Sequence, residues 1–317
     1  TALIYFVFRK VDWQMCSDQM KAAFRGGYGW LIAAVAVTGI VFMLSSCRWK
    51  TILRAHDVAV PFFHTFRLLL LGFFFGQFMP GGLAAGDVIR SYYVITRSDE
   101  KKMECVATVI LDRVIGSFGL ATVVLISLLL WGRYFGHWFL LAGIVVVVGI
   151  GIVLFFSRRV LRRLPFATWI YQHLPFREHV TRAYEAFRHY REHKAQLLMC
   201  WGLSVIIQIL LVFVAYCVGQ SIGITATAFQ YLVWVPLVGA IAALPITVGS
   251  VGTAEAGYRF FFYLQGNHPE AYGTVVLAFA LMMRLLWLFT GGMGGLIWWT
   301  EKLRVSVRLI RQQHSSA

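Results

Sequence analysis

Seven charged side chains sit in apolar surroundings, at spacings that bring an acid and a base close together. Asp87 and Arg90 are three apart, Glu255 and Arg259 four apart, Asp112 and Arg113 adjacent, and Arg284 stands alone between Leu281 and Trp287. Residues three or four apart on a helix are surface neighbours, whereas adjacent ones point about 100° apart. Asp87–Arg90 and Glu255–Arg259 can therefore pair within one helix, while at least one of Asp112 and Arg113 must reach another. A guanidinium forks onto the oxygens of a phosphate or carboxylate, so Arg113 and Arg284 are candidates to hold an anionic headgroup, with the acids exchanging partners as it arrives. The same residues also have a structural reading, in which the acids complement a helix dipole and the arginines neutralise them in buried ion pairs.

Two Pro/Gly stretches lie beside these charges. The apolar run 61–79 meets Pro80-Gly81-Gly82-Leu83-Ala84-Ala85-Gly86 and resumes at 87–97; the run 229–244 meets Pro245-Ile246-Thr247-Val248-Gly249-Ser250-Val251-Gly252 and resumes at 253–264. Neither can be one continuous helix. A helix that starts afresh after such a break presents unpaired N–H groups and the positive end of its dipole, which attract an anion, and glycines at 81, 82, 86, 249 and 252 let a ligand approach the backbone. A single break of this kind is equally a tight loop between short spans; two in corresponding halves point to an inverted-repeat transporter with its site at the midplane.

The solvent for these elements is a bilayer. Of 317 residues 59% are hydrophobic and 14% charged, with a mean hydropathy of +0.70, outside the balance of a water-soluble domain. The expected fold is all-α: a polytopic helical membrane protein with two broken-helix, re-entrant hairpins and an inverted repeat. Spans are expected at 29–47, 103–131, 137–157, 196–219 and 273–299. The chain then reads as a single integral membrane domain, with a first half at 1–157, a basic linker at 158–195, a second half at 196–299 and a basic tail at 300–317.

Lys and Arg number 29 against 14 acids, a formal charge of +15. In a membrane protein, that excess marks cytoplasmic loops rather than nucleic-acid binding. Residues 158–194 hold nine Lys/Arg against three acids, and Lys302, Arg304, Arg308 and Arg311 follow the last apolar run. Both segments are placed in the cytoplasm, with the loops near 220–228 and 265–272 outside, so the first hairpin enters from the cytoplasm and the second from outside. The protein is expected in the cell (inner or plasma) membrane with its C-terminus cytoplasmic. Arg9, Lys10, Lys21 and Arg25 fall outside in this topology, against the rule.

Other chemistries find little support. The cysteines form no CxxC pair, and there is no P-loop, nucleophile elbow or HExxH. His189-Tyr190-Arg191-Glu192-His193 matches a zinc-protease pattern, but lies in a basic segment where Val180, Tyr184 and Phe187 form the stripe of an interfacial amphipathic helix. No metal, cofactor or catalytic residue is assigned.

The sequence resembles the flippase-like transmembrane domain of bacterial lysylphosphatidylglycerol synthases and the stand-alone membrane proteins related to it. The marks are Phe78-Met79-Pro80-Gly81-Gly82 leading to Gly86-Asp87-Val88-Ile89-Arg90, then Leu111-Asp112-Arg113-Val114-Ile115-Gly116, then Leu244 to Gly252 with Glu255. The resemblance implies a lipid-translocating fold acting on aminoacylated phosphatidylglycerol or other anionic or polyprenyl-linked lipids. It also implies a separate lipid-modifying synthase as a partner, since no aminoacyltransferase domain follows in this sequence. Ala85 stands where a second glycine is usual, and Ala254 where an arginine often precedes the glutamate, leaving Arg259 to supply that cation. The expected function is a lipid flippase or transporter holding an anionic headgroup between the two hairpins. The alternatives are an ion-coupled transporter of a small polar solute and an enzyme modifying a lipid headgroup.

Overall fold

The computed structural model describes residues 13–55, 58–79, 82–96, 102–131, 194–242, 252–263 and 270–315, and these are helical with short connections. The elements are α1 (Trp13–Arg25), α2 (Tyr28–Arg54), α3 (Phe62–Phe78), α4 (Leu83–Ile95), α5 (Lys102–Trp131), α6 (Lys194–Ile222), α7 (Ala228–Ala242), α8 (Thr253–Tyr263) and α9 (Glu270–Ser315). Among the described residues, four stretches are long and apolar enough to cross a membrane: Tyr28–Arg54, Glu104–Leu130, Ala195–Ile222 and Gly273–Thr300. They match four of the expected spans. The fifth, 137–157, lies outside the described residues, as do most of the linker, the 189–193 motif, Pro80, Gly81 and Gly249.

The boundaries depart from the sequence reading where a charge finds a partner. Helix α2 continues past residue 47 to Arg54, because Arg48 and Trp49 turn inward, 8% and 0% exposed, and a paired charge does not end a helix. Helix α9 runs on through the basic tail to Ser315.

The two interrupted segments fold as antiparallel helix pairs. In the first, α3 and α4 meet at glycine: a Cβ on Gly86 would overlap the carbonyl oxygen of Gly72 and sit 3.2 Å from the Gly76 nitrogen. In the second, Val238 of α7 packs on Gly257 of α8, and the Trp234 ring lies tilted against Phe262, centroids 4.5 Å apart. Each returning helix is preceded by a glycine at positive φ, Gly82 at 55° and Gly252 at 87°, a conformation costly for residues with a Cβ.

Helix α7 carries Pro236 in its interior. Proline has no N–H, so the carbonyl of Leu232, four residues earlier, loses its intrahelical donor. The hydroxyl of Ser127, on α5, lies 2.8 Å from that oxygen and 2.7 Å from Val123 O, so its one proton is shared between its own helix and the carbonyl that the proline leaves open.

The apolar core divides between the two pairs. One cluster gathers around Tyr231, Trp234, Phe262 and Phe279, from α7, α8 and α9. The other gathers around Trp49, Leu53, Leu71, Val94 and Val109, from α2 to α5. Helices α5 and α6 run past both, and side chains on these two helices carry much of the site.

Candidate functional site

Asp112 is the hub of a buried ion network. Its Oδ1 accepts from Arg48 Nε at 2.9 Å and its Oδ2 from Arg90 Nη2 at 3.1 Å, with both arginines largely enclosed. Arg48 Nη1 also donates to Ser204 Oγ at 2.8 Å, so the network ties α2, α4, α5 and α6 together. Gly116, one turn beyond Asp112, lies against the Arg48 guanidinium, and a Cβ there would meet it in ordinary van der Waals contact at 3.4 Å from Nη1. Arg90 lies 4.1 Å over the ring of Trp49, whose Nε1 donates to Thr108 Oγ1 at 3.3 Å. A cation over an indole face recovers part of what desolvation removes.

Arg113 points the other way and clamps Asp87, Nε to Oδ2 at 2.8 Å and Nη2 to Oδ1 at 3.0 Å. This fork is half-open, with the Arg113 side chain 46% exposed. Three guanidinium groups thus face two carboxylates across Arg48, Arg90, Arg113, Asp87 and Asp112, an excess of one positive charge. Arg90 Nε is buried with no hydrogen-bond partner among the described residues.

The second centre sits where α8 begins. Glu255 reaches back so that its Oε2 accepts the N–H of Gly252 at 2.8 Å, the reciprocal half of a capping box. Its Oε1 accepts from Arg284 Nε on α9 at 2.8 Å. The Glu255 side chain is 3% exposed and that of Arg284 24%. They form part of the wall of a cavity of about 240 Å³ lined also by Tyr258, Gln208 of α6, Trp287 of α9 and Gln77 of the last turn of α3. Both helix pairs therefore reach this cavity. Leu120, also in its wall, is eight residues beyond Asp112 on α5, so the cavity lies roughly 12 Å along that helix from the ion network.

These contacts correct the expected pairing. Among the described residues the carboxylate of Asp87 is held by Arg113 and that of Glu255 by Arg284, each on another helix, in place of the in-helix pairs with Arg90 and Arg259. Arg259 points toward Gly273, 3.9 Å from a Cβ built there, and does not line the cavity. Asp87 lies in the second turn of α4, because that helix starts at Leu83 and its first turn holds no acid. A carboxylate paired along its own helix stays at the surface, whereas a partner on a neighbouring helix lets both charges bury. Arg48, Ser204, Gln77 and Tyr258 were not singled out in the sequence. Arg48 falls just past the expected span 29–47; the apolar Trp49, Ile52 and Leu53 that follow it were the available signal.

Comparison with known proteins follows the same lines. A UPF0104 membrane protein of Methanothermobacter thermautotrophicus is 28% identical over 129 residues, 40% of this chain and 38% of that protein. Another, from Methanocaldococcus jannaschii, is 28% identical over 86 residues, 27% of this chain and 26% of that one. The chain thus aligns with well under half the length of these relatives. No solved structure matches it. A family model described as the lysylphosphatidylglycerol synthase TM region matches residues 1–292, a stretch that takes in both helix pairs, the ion network and the cavity, and this multi-pass membrane protein belongs to that family.

Proposed function

We propose that the protein is a lipid flippase or lipid transporter that holds an anionic phospholipid or polyprenyl-phosphate-type headgroup between its two helix pairs. The observation that carries this reading is the Glu255–Arg284 pair in the wall of a cavity that both pairs reach. A charge held at membrane depth costs at least ~2.5 kcal/mol, and this one is kept beside open volume rather than packed away. The volume of about 240 Å³ falls just below the ~300–1,000 Å³ of pockets that enclose whole ligands. It suits a headgroup whose chains stay in the bilayer.

The arms of the pairs support re-entrance. Helices of 17, 13, 15 and 11 residues span roughly 16 to 25 Å, against a hydrocarbon core of ~30 Å. On this reading the first pair enters from the cytoplasm and the second from outside, related as an inverted repeat, in the cell membrane with the C-terminus cytoplasmic. Relative motion of the two halves would then expose the site alternately. Gly82, Gly86 and Gly252, with Pro80, Gly81 and Gly249 in the breaks, admit the ligand to the backbone. Asp87, Arg90, Asp112 and Arg113 hold the first pair in register below the cavity.

Native mass spectrometry of the purified protein tests the site. Retention of an anionic lipid by the intact chain, and its loss in Arg284→Ala with the fold preserved, is the expected result. Equal retention by both would remove the headgroup from this cavity.

A further inference from the structure

The charge in the cavity wall is balanced before any ligand enters. Glu255 carries one negative charge and Arg284 one positive. The other described residues that line the cavity with Glu255 add nothing to that balance at neutral pH. Its own helix supplies Tyr258, α9 supplies Arg284, α3 and α6 supply the amides Gln77 and Gln208, α5 supplies Leu120, and α7 supplies apolar residues around Pro236. An anion arriving in this space brings a charge that no further cation among the described lining residues can match. Low-dielectric surroundings make such an imbalance unfavourable, and a proton is the simplest species that removes it.

We propose that Glu255 is a proton-binding site and that a monoanionic phosphodiester headgroup enters the cavity together with one proton. This rests on the lipid-binding reading given above and assigns its coupling ion. The headgroup oxygens take over the Arg284 donors that Glu255 Oε1 holds at 2.8 Å. Glu255 stays fixed through Oε2 by the Gly252 N–H, and Oε1, freed of its guanidinium, forms an O–H bond with a proton drawn from water. No other bond changes. The cavity is neutral in both states: carboxylate with guanidinium before, carboxylic acid with guanidinium and phosphodiester after. Movement of the headgroup then carries one anion and one proton in the same direction, without net charge, so a pH gradient drives it and a membrane potential does not.

The geometry separates this proton from the remaining buried acids. Asp112 is held between Arg48 and Arg90, and Asp87 is clamped by Arg113. Neither lines the cavity. Glu255 alone among the described acids lines the cavity, with a single guanidinium partner beside it.

Binding of dioctanoyl phosphatidylglycerol to the detergent-solubilised protein tests the proposal, measured from about pH 5 to about pH 9, where a phosphodiester keeps one negative charge and arginine stays protonated. Proton uptake is followed in parallel in weakly buffered solution. The expected result is one proton taken up per lipid bound, with affinity falling about tenfold per pH unit on the alkaline side. Glu255→Gln, the neutral isostere of the protonated acid, should bind with no pH dependence and take up no proton. Lipid binding that depends on Arg284 but releases or consumes no proton would overturn the proposal and leave the headgroup site standing. No binding of this lipid at any pH would remove both. Should Glu255→Gln fail to fold, the proton count on the unaltered protein still decides.

Discussion

At the scale of single residues, a buried charge and the groups that hold it are separated by a wide gap in the chain. Asp112 illustrates the gap: its partners lie 64 and 22 residues away in the chain, and no spacing rule reaches that far. The adjacent pair Asp112-Arg113 was legible as two groups pointing apart, and both do find other helices. The in-helix pairings were the wrong inference, because local spacing says two side chains can meet and says nothing about a better partner across a packed interface. Burial now ranks these pairs. Removing one member of a buried ion pair leaves an uncompensated charge at a cost of about 3–5 kcal/mol, whereas an exposed pair contributes about 0–1 kcal/mol. Asp112→Ala, which strands both Arg48 and Arg90, should therefore lower stability far more than Asp87→Ala at the half-open fork. Denaturation in mixed micelles checks the order, and equal losses would mean that Asp112 does not hold the helices together.

At the scale of elements the two breaks were visible because proline and glycine act locally, and the helix pairs formed where those residues fall. Their start points were less legible: α4 begins at Leu83, ahead of the acid expected to open it. The proline inside α7 went unremarked, since its consequence is borne by Ser127 on a different helix. These features set a second comparison. Gly86→Ala would force α3 and α4 apart at the Gly72 carbonyl, and overpacking of a closed interface costs about 1–3 kcal/mol. Ser127→Ala removes one interhelical hydrogen bond, for which about 0.6 kcal/mol is the average inside a bilayer. The glycine variant should show the larger loss of thermal stability in detergent; the reverse order would place the tighter constraint at the proline.

At the scale of the whole molecule, apolar length and charge bias gave the helical membrane class and four of the spans, because those signals are sums over many residues. The assembly of the halves was not legible, since α5 and α6 join them through contacts such as Arg48–Ser204, 156 residues apart. Orientation is open to a direct check. With Cys47 replaced, a thiol introduced at Thr225 should react with a membrane-impermeant maleimide from outside intact cells, and one at Gln312 only after the membrane is opened; the opposite pattern would invert every side assigned above. The ion network also has an order in time. Arg48 and Arg90 both precede Asp112 in the chain, so the acid enters the bilayer when its two cations have already been made. At ~5–20 residues per second, Asp112 follows Arg48 by 64 residues, about 3–13 s of synthesis. Ser204 follows Asp112 by a further 92 residues, about 5–18 s. The first half of the chain must therefore persist for that interval with its network one bond short, and it is the arrival of α6 from the ribosome that completes it.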